Sequence, residues 1–331
     1  MHRTSRQRAP TGGLRRLLAA CLLAWAAPLA AAPFAYVTNQ GSHDVSVIDL
    51  ATHRVVATVP VGRSPAGVVA VGRAGRTFVS NPDSKTLSVI DMGSNTVVDT
   101  LPAGDGPVGL DASPDGRHVY AADWFGNRLL AFDARTGESR AAIGVGRAPA
   151  GVAARGNDGL VFVAERDDDT VALVDVRAQK VRSRVRVGSH PFALLLDEGR
   201  DRLYVLNVYS DDVCVIDART LAVVATVKVG RAPYGAALAA GGTLLYVTNQ
   251  QDNTVSVIDA STLEPVRTLK GFAYPEGVAA HGDRVYVVNW MDDNVSVLDA
   301  ASGALLQTIA TGQGSRGFGA FIGAPTTWSL H

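Results

Sequence analysis

The sequence of 331 residues contains only two cysteines, which excludes a fold that depends on disulfide bonds. Cys21 lies in an amino-terminal apolar segment that we expect to be removed, so Cys214 has no partner for an internal disulfide. We interpret Cys214 as a small buried residue and not as a nucleophile. The chain must therefore be stabilised by its apolar core.

An excess of charge of one sign is also lacking, because 31 basic residues balance 31 acidic ones. Five of the arginines lie in residues 1–32, which contain no acidic residue. Without that segment, 26 basic residues (31 − 5) face 31 acidic ones, a net charge of −5. This net charge excludes a positive field over the whole protein of the kind that attracts nucleic acid. It does not exclude a local basic patch.

After residue 32 no apolar run is long enough to span a membrane. Before it, the basic pair Arg15-Arg16 precedes an apolar run, Leu17 to Ala32, that ends in three alanines. This order predicts a secretory signal peptide over 1–32, cleaved near residues 30–32, and a periplasmic mature chain over 33–331. The alternatives are an uncleaved anchor, a twin-arginine signal at Arg15-Arg16, and a lipoprotein box at Cys21.

Residues 33–331 repeat one unit of about 42 residues seven times. Each unit has an aromatic-led run, a polar turn, and an apolar run that ends in an acidic residue. The aromatic residues are Tyr36, Phe78, Tyr120, Phe162, Tyr204, Tyr246 and Tyr286, and the acidic residues are Asp49, Asp91, Asp133, Asp175, Asp217, Asp259 and Asp299. Both series step by 42 five times and by 40 once, which is typical of a repeat architecture.

The short runs rich in β-branched residues predict four strands in each unit, which we call A to D in chain order. About 42 residues in four strands make one blade of a β-propeller. The first unit lacks strand A, and the segment Gly317–Ile322 remains after the last strand D. We therefore predict an all-β, seven-bladed β-propeller of four-stranded blades, in which the carboxyl-terminal strand completes blade one and closes the ring.

The repeated polar residues have structural roles in this scheme. An Asp that ends strand C accepts backbone N–H bonds in the next turn. A Pro-x-Gly corner leads from strand D of one blade to strand A of the next, as at Pro149 to Gly151. There the proline fixes φ, and the glycine permits a close backbone approach near the axis.

The segments Tyr36-Val37-Thr38-Asn39 and Tyr246-Val247-Thr248-Asn249, each followed by Val-Ser-Val-Ile-Asp, resemble the YVTN-repeat β-propellers. The ending Gly-Phe-Gly-Ala-Phe-Ile is similar to that of the YncE-like exported bacterial members. The resemblance covers nearly all of the mature chain. It implies a periplasmic seven-bladed propeller, and DNA binding has been proposed for a YncE-type member.

Residues that differ between units are the candidates for function. The B–C loops and the D–A corners emerge on one face, around the mouth of the central channel, and there they are rich in aromatic residues and arginine. The candidate ligand- or partner-binding residues are Trp124, Phe125, Arg166, His190, Phe192, Tyr209, Tyr234, Tyr274, Glu276, Trp290 and Arg316. Such rings stack on bases or sugars, or anchor a protein partner, unless they only cover the channel and pack on one another.

Catalytic signatures are absent: the sequence has no Gly-x-Ser-x-Gly, no phosphate loop and no Cys-x-x-Cys-His. We predict no catalytic residue, metal or cofactor, and a monomer. The leading hypothesis is an exported, non-enzymatic binding or scaffold propeller, whose partner is an unknown ligand, an envelope protein or DNA. One alternative is a lactonase-like hydrolase with a cation at the channel mouth, where His190 and Glu276 act together. The other is a purely structural envelope protein. The acidic loops of the same face, Asp167–Asp169, Asp211-Asp212 and Asp292-Asp293, are solvated turns or bind Ca²⁺.

Overall fold

The computed structural model describes residues 1–2 and 33–325, and these contain seven four-stranded antiparallel sheets. Blades one to three contain β1 (Phe34–Asn39), β2 (Asp44–Asp49), β3 (Arg54–Pro60); β4 (Val68–Val71), β5 (Arg76–Asn81), β6 (Thr86–Asp91), β7 (Thr96–Pro102); β8 (Pro107–Ala112), β9 (His118–Asp123), β10 (Arg128–Asp133), β11 (Ser139–Gly144). Blades four and five contain β12 (Pro149–Arg155), β13 (Leu160–Glu165), β14 (Thr170–Asp175), β15 (Lys180–Arg186); β16 (Pro191–Asp197), β17 (Arg202–Asn207), β18 (Asp212–Asp217), β19 (Val223–Lys228). Blades six and seven contain β20 (Pro233–Ala239), β21 (Leu244–Asn249), β22 (Thr254–Asp259), β23 (Pro265–Lys270); β24 (Pro275–His281), β25 (Arg284–Asn289), β26 (Asn294–Asp299), β27 (Leu305–Ala310). The last strand is β28 (Ile322–Gly323), and the short 3₁₀ helices are Gly72–Ala74, Pro82–Ser84, Arg166–Asp168 and Gln250–Asp252.

The predicted seven-bladed fold is confirmed, including the closure of the ring. Strand β28 pairs with β1 in the sheet order β28-β1-β2-β3, so Ile322–Gly323 form the inner strand of blade one. The backbone N–H of Tyr36 donates to the carbonyl of Phe321 over 2.9 Å, and that of Val68 to the carbonyl of Phe318 over 2.9 Å. The regular part of this strand is shorter than the predicted segment, because Gly319 takes φ 119° and turns the chain.

The apolar core lies between neighbouring blades. Each aromatic residue that repeats along strand B is at most 2% exposed. Several reach the next blade through their hydroxyl, as Tyr246 does when it donates to the carbonyl of Ala300 over 2.9 Å. The repeated ring therefore seals one blade against the next.

The Thr and Asn that end strand B have separate roles. The Thr248 hydroxyl donates to the carbonyl of Glu276 in the next blade over 2.6 Å. The Asn249 amide donates to the hydroxyl of Ser256 in strand C over 2.9 Å. The spacing of Tyr-Val-Thr-Asn and Val-Ser-Val-Ile-Asp thus has a physical reason, because one polar side chain joins two strands and the other joins two blades.

The predicted structural roles of Asp, Gly and Cys214 hold in this structure. Asp49 accepts the backbone N–H groups of Ala51 and Thr52 over 2.8 Å each, and the bond from Thr52 lowers the pKa of its carboxyl. A Cβ on Gly151 would collide with the carbonyl oxygen of Phe192 in the next blade. Cys214 is buried, and burial raises the pKa of its thiol to about 11.

The predicted signal peptide, its cleavage site and Cys21 lie outside the described residues, apart from residues 1–2. Within 1–2 and 33–325, no helix is both long enough and apolar enough to cross a bilayer.

Candidate functional site at the channel mouth

A cavity of about 530 Å³ lies at the channel mouth, where B–C loops and D–A corners meet. Eight of the eleven candidate residues line it: Trp124, Phe125, Phe192, Tyr234, Tyr274, Glu276, Trp290 and Arg316. Its other lining residues are Gln40, Ala66, Pro82, Asp83, Gly106, Val108 and Gln250. The closed ring thus brings most of the candidate side chains to one cavity.

The floor of this mouth cavity is a packed group of three rings. The Phe192 ring centroid lies 4.6 Å from that of Tyr234 and 4.9 Å from that of Phe318. All three side chains are buried, and burial raises the pKa of the Tyr234 hydroxyl. Phe192 and Tyr234 therefore close the channel, as the packing alternative expected, and offer a ligand only a small part of their surface.

The walls of the mouth cavity carry the more accessible rings. Trp290 lies 5.5 Å from Tyr274, and Trp124 lies 6.2 Å from Phe192, centroid to centroid. Phe125 is 71% exposed at the rim. These rings leave apolar surface facing the cavity, where a flat ligand can stack.

A buried ion pair forms the polar part of the wall. The Arg316 Nε lies 2.8 Å from the Glu276 Oε2, and its Nη2 donates to the Oε1 over 3.1 Å. The Gln250 amide donates to the same Oε1 over 2.7 Å. Glu276 is completely buried, and this burial raises the pKa of its carboxyl while Arg316 opposes the rise. Two charged groups that are shielded from water thus lie beside the aromatic floor.

The pair is an exception among the repeats. The residue after the corner proline is Ala66, Val108 and Ala150 in three units, then Phe192, Tyr234 and Glu276 in the next three. At the corner that leads back to blade one, Ser315 replaces the proline and Arg316 stands at the place of Ala66 and Glu276. The small residues lead into blades two to four, and the large ones lead into blades five to seven and blade one. The cavity is therefore asymmetric, because its large corner side chains all lie on one part of the ring.

The remaining candidates, Arg166, His190 and Tyr209, form a cluster beside the mouth cavity and do not line it. The His190 ring stacks on Tyr209 at 4.1 Å, and the Arg166 guanidinium lies 5.5 Å from Tyr209 and 5.4 Å from Trp124. The polar contacts of the His190 side chain are with Ser189 and with Asp167 and Asp169 of the B–C loop of blade four. The structure therefore does not bring His190 to Glu276, as the hydrolase alternative required.

Three of the arginines of this face are already paired with carboxylates. Arg147 contacts Asp168 over 2.7 Å, Arg231 contacts Asp252 over 2.5 Å, and Arg166 contacts Asp167 over 2.5 Å. An incoming phosphate would compete with these carboxylates.

The acidic loops have a structural role that the sequence did not indicate. Asp169, Asp211 and Asp293 accept backbone N–H groups from the next D–A corner, the last from Gly314 over 2.6 Å. All three have positive φ. Among the residues that the structure describes, no group of three or more His, Cys, Asp or Glu side chains is arranged to hold a metal ion.

Sequence reasoning missed Gln40, Gln250 and Phe318 as parts of the site. Gln40 and Gln250 occupy the loop place that Trp124 and Trp290 fill in other units. The alignment of the repeats could therefore have predicted that both glutamines lie at the channel mouth. Phe318 lies in the closing segment, and only the three-dimensional arrangement brings it under Phe192 and Tyr234.

Fold and cavity together define the class of the protein, a seven-bladed β-propeller with a recessed aromatic mouth. No protein-family model matches the chain, and no curated protein matches it. A functionally unknown protein from Desulfotomaculum acetoxidans DSM 771 is similar in structure, with a TM-score of 0.73 and 15% identity over 85% of this chain and 98% of the other. Hydrazine synthase from Kuenenia stuttgartiensis has a TM-score of 0.71 and 19% identity over 82% and 96%. The dihydro-heme d1 dehydrogenase NirN, solved in complex with DHE, has a TM-score of 0.62 and 16% identity over 84% and 63%. At such identities these likenesses establish the fold alone.

Proposed function

We propose that this protein is a non-enzymatic binding propeller, and that its ligand enters the mouth cavity. The observation that carries the proposal is the buried Glu276–Arg316 pair in the cavity wall. Taking two charges out of water costs several kcal/mol per ion before their attraction offsets it. Since three other units have Ala or Val at the place of Glu276, the blade fold does not require a charged residue there. We infer that the pair serves a ligand.

The ligand class that fits best is a polar ring with an apolar face, such as a sugar unit of a glycan. Trp124, Phe125 and Trp290 offer flat surfaces for the apolar face. Gln250 and Asp83 accept hydrogen bonds, and Arg316, which Glu276 holds in place, donates them, so the cavity matches hydroxyl groups, which do both. Nucleic acid fits less well, because Asp83 repels phosphate and Arg147, Arg166 and Arg231 of this face are already paired with carboxylates.

We further propose that the chain is a YVTN-repeat propeller exported to the periplasm. The repeated Tyr-Val-Thr-Asn segments, their hydrogen bonds to the Val-Ser-Val-Ile-Asp strands, and the signal-like order of residues 1–32 support this assignment. Cell fractionation would test the location, and a full-length protein retained in the cytoplasm would contradict it.

The experiment that tests the binding role is a titration of the protein with a glycan panel, followed by tryptophan fluorescence. We expect saturable quenching with at least one glycan and a loss of affinity of about tenfold in Trp124→Ala or Trp290→Ala, since ring stacking contributes roughly 1–3 kcal/mol. Val224→Ala, on an exposed outer strand, is the matched control and should bind as the wild type does.

Single-stranded DNA is titrated alongside at low and high salt. Salt-sensitive DNA binding that Trp124→Ala abolishes would replace the glycan with nucleic acid as the ligand. Glycan binding that neither tryptophan variant changes would contradict a ligand site in the mouth cavity.

A further inference from the structure

A second cavity, of about 600 Å³, lies in the channel on the other side of the aromatic floor. Phe318 lines this lower cavity, while its ring packs on Phe192 and Tyr234, which line the mouth cavity. The two cavities share no lining residue. They are therefore separate compartments of one channel, and binding in the lower cavity does not depend on the function proposed for the mouth.

The walls of the lower cavity are mostly apolar. Strand β16 contributes Leu194 to Leu196, β20 contributes Ala236 to Leu238, and β24 contributes Val278 to Ala280. The Leu195 side chain keeps part of its surface accessible although it lies within the channel. A cavity of this size and character is in the range of small-molecule sites.

The charged residues that line this cavity are all acidic: Asp111, Asp197 and Glu198. Asp197 is paired with Arg200 over 2.8 Å, and Glu198 accepts the backbone N–H of Gly156 at the exposed end of the strand. Among the described residues, no Lys, Arg or His lines the cavity beside Asp111.

Asp111 is an exception at its place in the repeat. The five other units that begin with a corner proline have Val69, Ala153, Leu195, Ala237 and Ala279 there. The Asp111 carboxylate accepts two backbone N–H groups, from Ala112 and from Ala154, each over 2.8 Å. Two of its four lone-pair sites are thus used, and Asp111 lines the cavity and keeps some accessible surface.

From this arrangement we infer that the lower cavity binds an amphiphilic organic cation, with its ammonium group on Asp111 and its apolar body against the leucine and alanine walls. A buried carboxylate without a basic partner is unfavourable by itself, and a cationic ligand supplies the missing partner. An organic anion would meet no basic side chain among the described residues that line this cavity, and a purely apolar ligand would leave the Asp111 carboxylate without a cationic partner.

The test uses three ligands with one apolar body and different head groups: 4-phenylbutylamine, 4-phenylbutanol and 4-phenylbutanoate, titrated calorimetrically near pH 8. We expect the amine to bind about tenfold tighter than the alcohol and the carboxylate to bind more weakly than both, because a charge-assisted bond to a desolvated carboxylate is worth about 1.4 kcal/mol or more. Amine binding that is no tighter than alcohol binding, or no measurable binding of the amine, would overturn the inference.

Asp111→Ala provides the variant test, since three other units carry alanine at this place and the fold tolerates it there. In this variant the amine and the alcohol should bind equally. Trp124→Ala, in the mouth cavity, should keep the full preference for the amine. A preference that survives in Asp111→Ala, or that disappears in Trp124→Ala, would place the binding elsewhere and refute the assignment.

Discussion

The role of a single residue in this protein can be judged by comparing it with the residues at the equivalent place in the other units. Asp111 and Glu276 are acidic at places where most other units have apolar residues, and both line cavities. Asp49, in contrast, belongs to a series of seven equivalent aspartates and only shapes a turn. A carboxylate that occurs once among equivalent places is therefore the better candidate for function.

At this scale we predict a pH dependence that comes from Asp111. Burial raises the pKa of its carboxyl from 3.8 to about 6, so between these values the folded state binds more protons than the unfolded state. The contribution of Asp111 to stability is therefore fully present below the lower value and is lost as pH rises through the higher one. The difference corresponds to about 3 kcal/mol.

Urea unfolding of the wild type and of Asp111→Ala, at about pH 4 and at about pH 7.5, measures this effect. The wild type should lose stability relative to the variant as the pH rises. Parallel curves for the two proteins would show that Asp111 ionises in the folded state as easily as in water.

Among the elements, the inner strands are the most constrained, because seven of them converge on one axis. The Pro-x-Gly corner meets this constraint: a Cβ on Gly67, Gly109 or Gly151 would collide with a carbonyl oxygen of the next blade. Blade five departs from the pattern with Ala193, next to the bulky Phe192. A glycine in the corner sequence thus indicates that the backbones of adjacent blades approach closely at that place.

We predict that Gly151→Ala destabilises the protein by about 2 kcal/mol, because its Cβ would collide with the carbonyl oxygen of Phe192 and adjacent blades must separate. Gly144→Ala is the control, since a Cβ at the end of the outer strand β11 meets no atom within 4 Å. Thermal unfolding of both variants checks this. Equal midpoints would contradict the close approach of the inner strands.

The whole molecule depends on the closure of its ring. The closing segment buries Phe318 and Phe321 and supplies backbone acceptors for Tyr36, Val68 and Ala70. It also contributes Phe318 to the floor of the mouth cavity, and Arg316, the residue before this segment, lines that cavity. One segment therefore completes the fold and both cavities.

We predict that a chain ending at Ser315 is far less stable than one ending at Pro325. Loss of two buried phenylalanines alone costs about 6 kcal/mol or more, and the inner edge of β1 becomes exposed. The thermal midpoint should fall by about 10 °C or more, or the protein should aggregate. Similar midpoints for the two chains would mean that the ring does not depend on its last strand.

Much of this protein is determined by its sequence, because a 42-residue period constrains every unit at once. The number of blades, the strand order, the closure by the carboxyl-terminal segment and the face that bears Trp124 and Trp290 were all predictable from the phase of the repeat. So were the turn-forming role of Asp49 and the close approach at Gly151.

Contacts across the ring could not be predicted in the same way. The repeat places Phe192, Tyr234 and Arg316 at one level, but only the curvature of the closed ring decides that the first two pack on Phe318 while Arg316 meets Glu276. The division of the channel into two cavities arises from that packing. Side chains 40 or more residues apart meet where the blades converge, and their distances depend on the tilt and spacing of all seven sheets, which no local pattern records.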